Sequence, residues 1–201
     1  MGKTDVTIQT FETLPVVDYK LVEQGFKKVA FFLSESHYFT TFNKKDIKEK
    51  RYNDLINNTL IVKTFYDDIT KTQSSYMLHK HKYFNMFNNV VEEERLTSKI
   101  DSANEIIYML QTAGLFNWVN LQQTKYIYTK KNVTLILSKV EGLNGLFIKL
   151  EEPSELMGMP RSKKFKILSK YIDNLNISHT PDYSCVKSLL FYNSIKKRKL
   201  V

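Results

Sequence analysis

A chain of 201 residues with 42% hydrophobic and 13% aromatic content is long enough for one substantial core, so a single domain over 1–201 is expected, ending in a short basic tail at 196–201. Thirty Lys and Arg against 21 Asp and Glu leave a net charge of +9, which favours anionic partners such as nucleotides, polyphosphate, nucleic acid or a membrane surface without choosing among them. The single cysteine, Cys185, excludes an intrachain disulfide and any zinc site built on paired cysteines, and it fits a reducing, cytoplasmic compartment.

The first residues, MGKTDVTIQT, contain no apolar leader core, and Val6 breaks the myristoylation pattern that Gly2 would begin. No later run approaches the roughly 18 apolar residues of a membrane span, so a soluble protein without a membrane partner is expected.

In chain order, Val6 to Phe11 reads as a strand and Val17 to Gln24 as a short helix, with Pro15 blocking an earlier start and Gly25 stopping it. Val29 to Thr41 is rich in Phe, Tyr and Thr and reads as two strands around a turn at Ser34-Glu35-Ser36. Asn43 to Asn58 is a polar connection with room for a helical turn. Leu60 to Tyr66 and Ser75 to Phe84 form a hairpin across Asp67 to Gln73, and Asn85 to Asn89 leads to a further strand over Val90 to Ile100.

Ser102-Ala103-Asn104-Glu105 has capping-box spacing and starts a helix through Ala103, Ile106, Ile107, Leu110 and Ala113, ended by Gly114. Three strands follow within Gln122 to Glu152. Val133, Leu135 and Leu137 point one way and Thr134, Ile136 and Ser138 the other, while Leu146, Ile148 and Leu150 oppose Phe147, Lys149 and Glu151. One face is apolar and suits helices; the other carries Lys and Glu and faces either water or a polar cavity. Amphipathic helices over Ser162 to Leu175 and Asp182 to Asn193 would cover the apolar face. The composite is an α+β fold of about eight antiparallel strands, enough to close or nearly close into a barrel with helices packed outside.

Within Gln122 to Glu152, the order strand, short turn, strand ending in Val140-Glu141-Gly142-Leu143, then Gly145-x-Phe147-Ile148-x-Leu150-Glu151 resembles the CYTH superfamily. That superfamily holds the class IV adenylyl cyclases, thiamine triphosphatase and the triphosphate tunnel metalloenzymes. Ile100 to Phe116 is similar to the family's helix and its Leu-Gly-Phe-type turn, and Asp182 to Leu190 resembles its closing Ser-Tyr-x-x-Leu-Leu segment. The likeness covers roughly the C-terminal half. In the N-terminal half, Ser36 to Thr40 sits where members have a Tyr-rich strand and Leu60 to Lys82 where they have two basic strands.

The resemblance implies a tunnel in which basic side chains hold a triphosphate and acidic ones carry Mg or Mn ions; in-line attack at phosphorus needs such cations to relieve charge on the phosphoryl oxygens. Lys125 and Lys63 stand at family Arg positions, and Lys80 or Lys82 at a family Lys. Lys keeps the charge and loses Arg's bidentate fork. The acidic set is largely absent. The family's opening Glu-x-Glu-x-Lys is replaced by Val6 to Phe11 without a carboxylate, Ser138 replaces an Asp, Gln123 a Lys, and Lys149 the first late Glu, leaving Glu151, with Glu93 and Glu94 near the family's Arg-x-Glu strand. One carboxylate holds a hard divalent ion poorly.

The preferred reading is therefore a catalytically degenerate CYTH-like protein that captures a phosphate-rich small molecule, a nucleotide, cyclic nucleotide or triphosphate, on Lys63, Lys80, Lys82, Lys125 and Lys149, with Glu151 as the one candidate metal ligand. The Glu-to-Lys change at Lys149 would exchange a metal ligand for a phosphate ligand. The alternatives are a residual Mg- or Mn-dependent triphosphatase or class IV adenylyl cyclase, and a non-catalytic scaffold, like a related Mediator subunit, whose barrel is filled by Ile136 and Phe147.

Other patterns carry less. His79 and His81 share a strand face without an acidic neighbour, Cys185 has no evident base, and no phosphate-cradling P-loop exists. A single-stranded nucleic-acid partner fits the charge, yet the aromatics fall at core spacing and the Lys196 to Lys199 run reads as a solvated tail.

Overall fold

The computed structural model describes residues 4–67, 70–84, 90–183 and 185–198; the expected connection at Asn85 to Asn89 and the end of the basic tail lie outside them. Eight strands form one sheet in the order β1-β8-β7-β6-β2-β3-β4-β5. They are β1 (Val6–Thr10), β2 (Lys27–Thr40), β3 (Thr59–Asp67), β4 (Thr72–Phe84), β5 (Val90–Ile100), β6 (Phe116–Lys130), β7 (Val133–Val140) and β8 (Leu146–Leu150). The helices are α1 (Leu14–Glu23), α2 (Lys44–Glu49), α3 (Tyr52–Asn57), α4 (Ala103–Thr112), α5 (Arg161–Asp173) and α6 (Lys187–Arg198).

Three local readings change. Pro15 falls in the first turn of α1 instead of before it, because that turn needs no N–H from its earliest residues and proline's fixed φ suits it. Ser34 and Ser36 make no turn. They lie buried on one face of the single strand β2, where small hydroxyl side chains alternate with Glu35 and His37. The polar connection after Asn43 holds two short helices, the first capped by Asn43 Oδ1 accepting from Lys45 N at 2.9 Å and Asp46 N at 3.0 Å. The expected cap at Ser102 is present, its Oγ accepting from Glu105 N at 3.3 Å. The last helix starts at Lys187 rather than Asp182, since Tyr183 and Cys185 are engaged in pairing with β1.

Contacts divide the chain into two compact units. One gathers the chain up to Phe32 with Gln123–Val186, the other Leu33–Gln122 with the segment from Lys187 onward. In the first unit, Val6, Ile8, Tyr128, Leu135, Leu137, Ile148 and Leu150 come from alternate positions and pack on Val17 and Leu21 of α1 and on Leu168 and Ile172 of α5. The turn between β7 and β8 requires glycine at Gly145: φ is +79°, and a Cβ there would lie 2.5 Å from the Thr10 carbonyl oxygen.

Strand β1 is not left as a bare edge. Thr180 N donates to Gln9 O, Thr7 N to Tyr183 O and Cys185 N to Thr7 O, at 2.9, 2.9 and 3.0 Å. The expected α+β arrangement of eight antiparallel strands with helices is present; the sheet is not closed by backbone pairing among the described residues and has two ends, β1 and β5.

Polar contacts fix the helices to this unit. Lys164 of α5 and Glu152 form an ion pair at 2.6 Å with both side chains 5% exposed, and Glu152 also accepts from Thr4 N at 2.6 Å. Tyr128 donates to Asp18 of α1 at 2.5 Å. The Tyr128 hydrogen bond, helped by Lys28, holds the Asp18 carboxyl below its ordinary range, while burial and Asp18 push the Tyr128 hydroxyl far up. Burial pushes Glu12 up, but Lys20 at 2.8 Å and the Ser178 N–H outweigh it and leave its pKa lowered.

Two outcomes are expected. Lys164→Met leaves a buried carboxylate uncompensated and should lower unfolding free energy by about 3–5 kcal/mol, read by urea titration. Asp18 and Glu12 both have folded pKa values below their unfolded ones, so their stabilisation is present above about pH 4 and is lost as pH falls through the folded values. Thermal melts of the parent should drop on acidification, and the drop should be smaller in Asp18→Asn.

Candidate functional site

In the second unit, Val62 of β3 faces Ala103, Ile106, Ile107 and Leu110 of α4, together with Phe39 and Ile100. The period of two then sends the neighbouring residues to the opposite face. The registers Lys63↔Tyr76↔Lys99 and Lys80↔Arg95 place these side chains there, with Ile61, Phe65 and Leu78. Lys63 Nζ lies over the Phe65 ring, 4.6 Å from its centroid. Lys82 continues the row by register opposite Glu93; the side chains of both lie outside the described residues.

The structure thus brings Lys63 and Lys80 onto one face and adds two cations the motif comparison missed, Arg95 and Lys99. Their signal was present: Glu93, Arg95, Thr97 and Lys99 alternate along β5, but only the pairing with β4 shows that the odd positions share a face with Lys80. Lys80 and Arg95 stand directly opposite each other, so two positive side chains meet at one place on this face.

One end of this face is filled. Trp118 of β6 donates from Nε1 to Thr59 Oγ1 at 3.1 Å, and its ring meets those of Tyr38, Tyr52 of α3 and Tyr192 of α6 with centroids 5.8, 6.5 and 5.7 Å away. Tyr52 and Ser188 hydroxyls are 2.6 Å apart, and Tyr192 donates to Ile47 O at 2.7 Å. Helices α3 and α6 therefore pack on the face opposite α4 instead of joining it. Sequence periodicity shows that such helices are amphipathic but not which face of a sheet they choose.

In the first unit, the face turned from α1 and α5 carries the rows Lys125↔Ser138↔Phe147↔Gln9 and Ile127↔Ile136↔Lys149↔Thr7. Ser138 is fully buried, and its Oγ has no hydrogen-bond partner among the described residues. Phe147 is fully buried as well, and Ile136 is half-buried. Lys149 Nζ lies 2.7 Å from Asp5 Oδ2 and 3.3 Å from Glu151 Oε1. Its charge is already balanced by two carboxylates.

Asp5 was overlooked because it stands one residue before the strand; pairing of Val6 with Leu150 brings it beside Glu151. Two neighbouring carboxylates would suit Mg or Mn, but an ammonium sits between them. A divalent ion there would face a fixed like charge, and the residues do not fit it. Among the described residues no three His, Cys, Asp or Glu side chains group so as to hold a metal ion. Glu94 is exposed on the α4 side of the sheet. His79 Nδ1 instead engages Thr59 O at 3.1 Å and His81 packs edge-on to Tyr83.

No family model matches the sequence, and no curated protein matches it. Solved structures do resemble it. The PH1012 protein of Pyrococcus horikoshii OT3 aligns with a TM-score of 0.63 at 17% identity, over 91% of this chain and 97% of that one. A putative adenylyl cyclase from Hippeastrum, described as having a dominant triphosphatase activity, aligns at 0.57 and 11%, over 96% of both chains. The chain has the CYTH-like, triphosphate-tunnel fold. A chain of the Schizosaccharomyces pombe Mediator head module aligns too, at 0.55 and 10%, over 89% of this chain and 98% of that one. One CYTH-like fold thus serves an enzyme and a subunit of a large assembly, and side chains must decide function. No helix is long and apolar enough to cross a membrane.

Lys149→Met removes the ammonium from between Asp5 and Glu151. These side chains are partly exposed, so the expected loss in denaturant titration is about 1 kcal/mol.

Proposed function

We propose that the chain binds a phosphate-rich small molecule, a nucleotide or a triphosphate, on the basic face of β3, β4 and β5, and captures it without turning it over. The observation that supports this reading is the Lys80–Arg95 pair two rows from Lys63, beyond the row of Ile61, Leu78 and Thr97, on the face opposite α4. Lys63, Lys80, Lys82 and Arg95 supply the charge, and Phe65 and Tyr76 flank it with aromatic surface, their centroids 6.1 Å apart. Lysines bind phosphate oxygens as point charges, which suits a flexible polyphosphate better than a fixed bidentate geometry. Lys125 beside buried Ser138 is a separate contributor in the first unit.

The position of Lys149, whose ammonium pairs with both Asp5 and Glu151 where a Mg or Mn ion would need carboxylates, supports capture without turnover. A scaffold reading is supported by the Trp118 cluster, since α3 and α6 spend part of the same face on packing.

Calorimetric titration decides between them. Tripolyphosphate or ATP should bind the parent, more weakly as salt rises. Charge-assisted hydrogen bonds are worth about 1.5–3 kcal/mol, so Lys63→Ala and Lys80→Ala should each weaken binding about tenfold to a hundredfold. Lys125→Ala measures the first unit's share. If neither ligand binds the parent, capture is wrong and the scaffold reading stands.

A further inference from the structure

The two ends of the sheet are treated differently. Backbone groups of β1 are taken by Thr180, Tyr183 and Cys185, whereas the strand order stops at β5 and no strand among the described residues pairs along its outer side. Strand β5 is long, and Glu94, Arg95, Leu96, Thr97, Ser98 and Lys99 are all exposed, Leu96 at 72%. Natural edge strands of this length are shortened, bulged or covered, because a row of backbone donors and acceptors recruits another strand. The irregularity in β5 pairing lies at its far end, between Tyr83 and Phe84 of β4, and leaves the stretch from Glu92 to Ile100 regular.

We propose that β5 pairs with β5 of a second copy of this chain, antiparallel about a twofold axis at Leu96. In that register Leu96 meets its twin, Arg95 faces Thr97, Glu94 faces Ser98 and Glu93 faces Lys99 on both sides of the axis. Two opposite-charge pairs and one apolar pair result, and no like charges meet. Neighbouring registers are worse. Centring on Arg95 or Glu94 sets that charge against itself, and centring on Thr97 sets Arg95 against Lys99 twice. Centring on Ser98 avoids repulsion but overlaps only from Leu96 to Ile100. Because β1 is covered, the association closes at two subunits instead of growing into a filament. Lys99 lies on the basic face by register whereas Leu96 lies on the other one, so the Leu96 variant tests the association apart from ligand binding.

Sedimentation equilibrium of the full chain over a range of concentrations tests it. The expected result is a monomer–dimer equilibrium that weakens with salt. Lys99→Glu should raise the dissociation constant about tenfold or more, since two attractive cross-strand pairs become repulsive. Glu93→Lys combined with Lys99→Glu should restore association, and Leu96→Lys should abolish it, with circular dichroism confirming that each variant is folded. A parent that is monomeric at every concentration, that forms species larger than dimers, or whose dimer is indifferent to the Lys99 and Leu96 changes overturns the proposal.

Discussion

The two-residue period of the β-strand is the constraint on which this molecule depends. Once a helix claims one face, every charged residue at an intervening position must go to the other. In the first unit α1 and α5 take the face of Leu135, Leu137, Ile148 and Leu150, which sends Lys125, Ser138 and Lys149 to the opposite side. In the second unit α4 takes the face of Val62, which sends Lys63, Lys80 and Arg95 away from it. Neither polar face needs a special sequence device beyond the placement of its covering helices.

What a polar face can do then depends on how its charges are balanced. Lys149 and the Lys80–Arg95 pair illustrate two outcomes of the same chemistry. Lys149 has carboxylates at 2.7 and 3.3 Å, which makes it a structural cation joining the start of β1 to the end of β8. Lys80 and Arg95 are cations set directly across from each other by strand register. A count of basic residues treats these positions alike; the geometry separates them. Lys149, with a carboxylate on either side, fills a cation position between the start of β1 and the end of β8.

Much of the fold was legible because its cues are local. The capping box at Ser102, the alternation from Val133 to Glu151 and the hairpin of β3 and β4 depend on neighbours in sequence, and each is present. The strand pattern already pointed to about eight antiparallel strands, and the family resemblance of the C-terminal half pointed to the same barrel architecture. The misreadings are of another kind. Ser34 and Ser36 look like turn formers, yet inside a continuous strand their small side chains suit a crowded face, and tertiary packing overrode propensity. Asp5, Arg95, Lys164 and Trp118 gained their roles from partners a dozen or more residues away, on other elements, which no periodicity encodes.

A strand edge is a further consequence of open pairing. A sheet with two ends must satisfy, cover or use the backbone groups at each. At β1 the chain covers them with its own segment around Thr180 to Cys185. At β5 the same requirement meets a sequence whose charges are complementary to themselves about Leu96. The asymmetry between the ends matters more than either end alone: two bare edges would favour unlimited strand addition, while one covered edge limits any association through β5 to a closed pair. Covering β1 with a short hydrogen-bonded segment therefore shapes both the architecture of the monomer and the stoichiometry available to it.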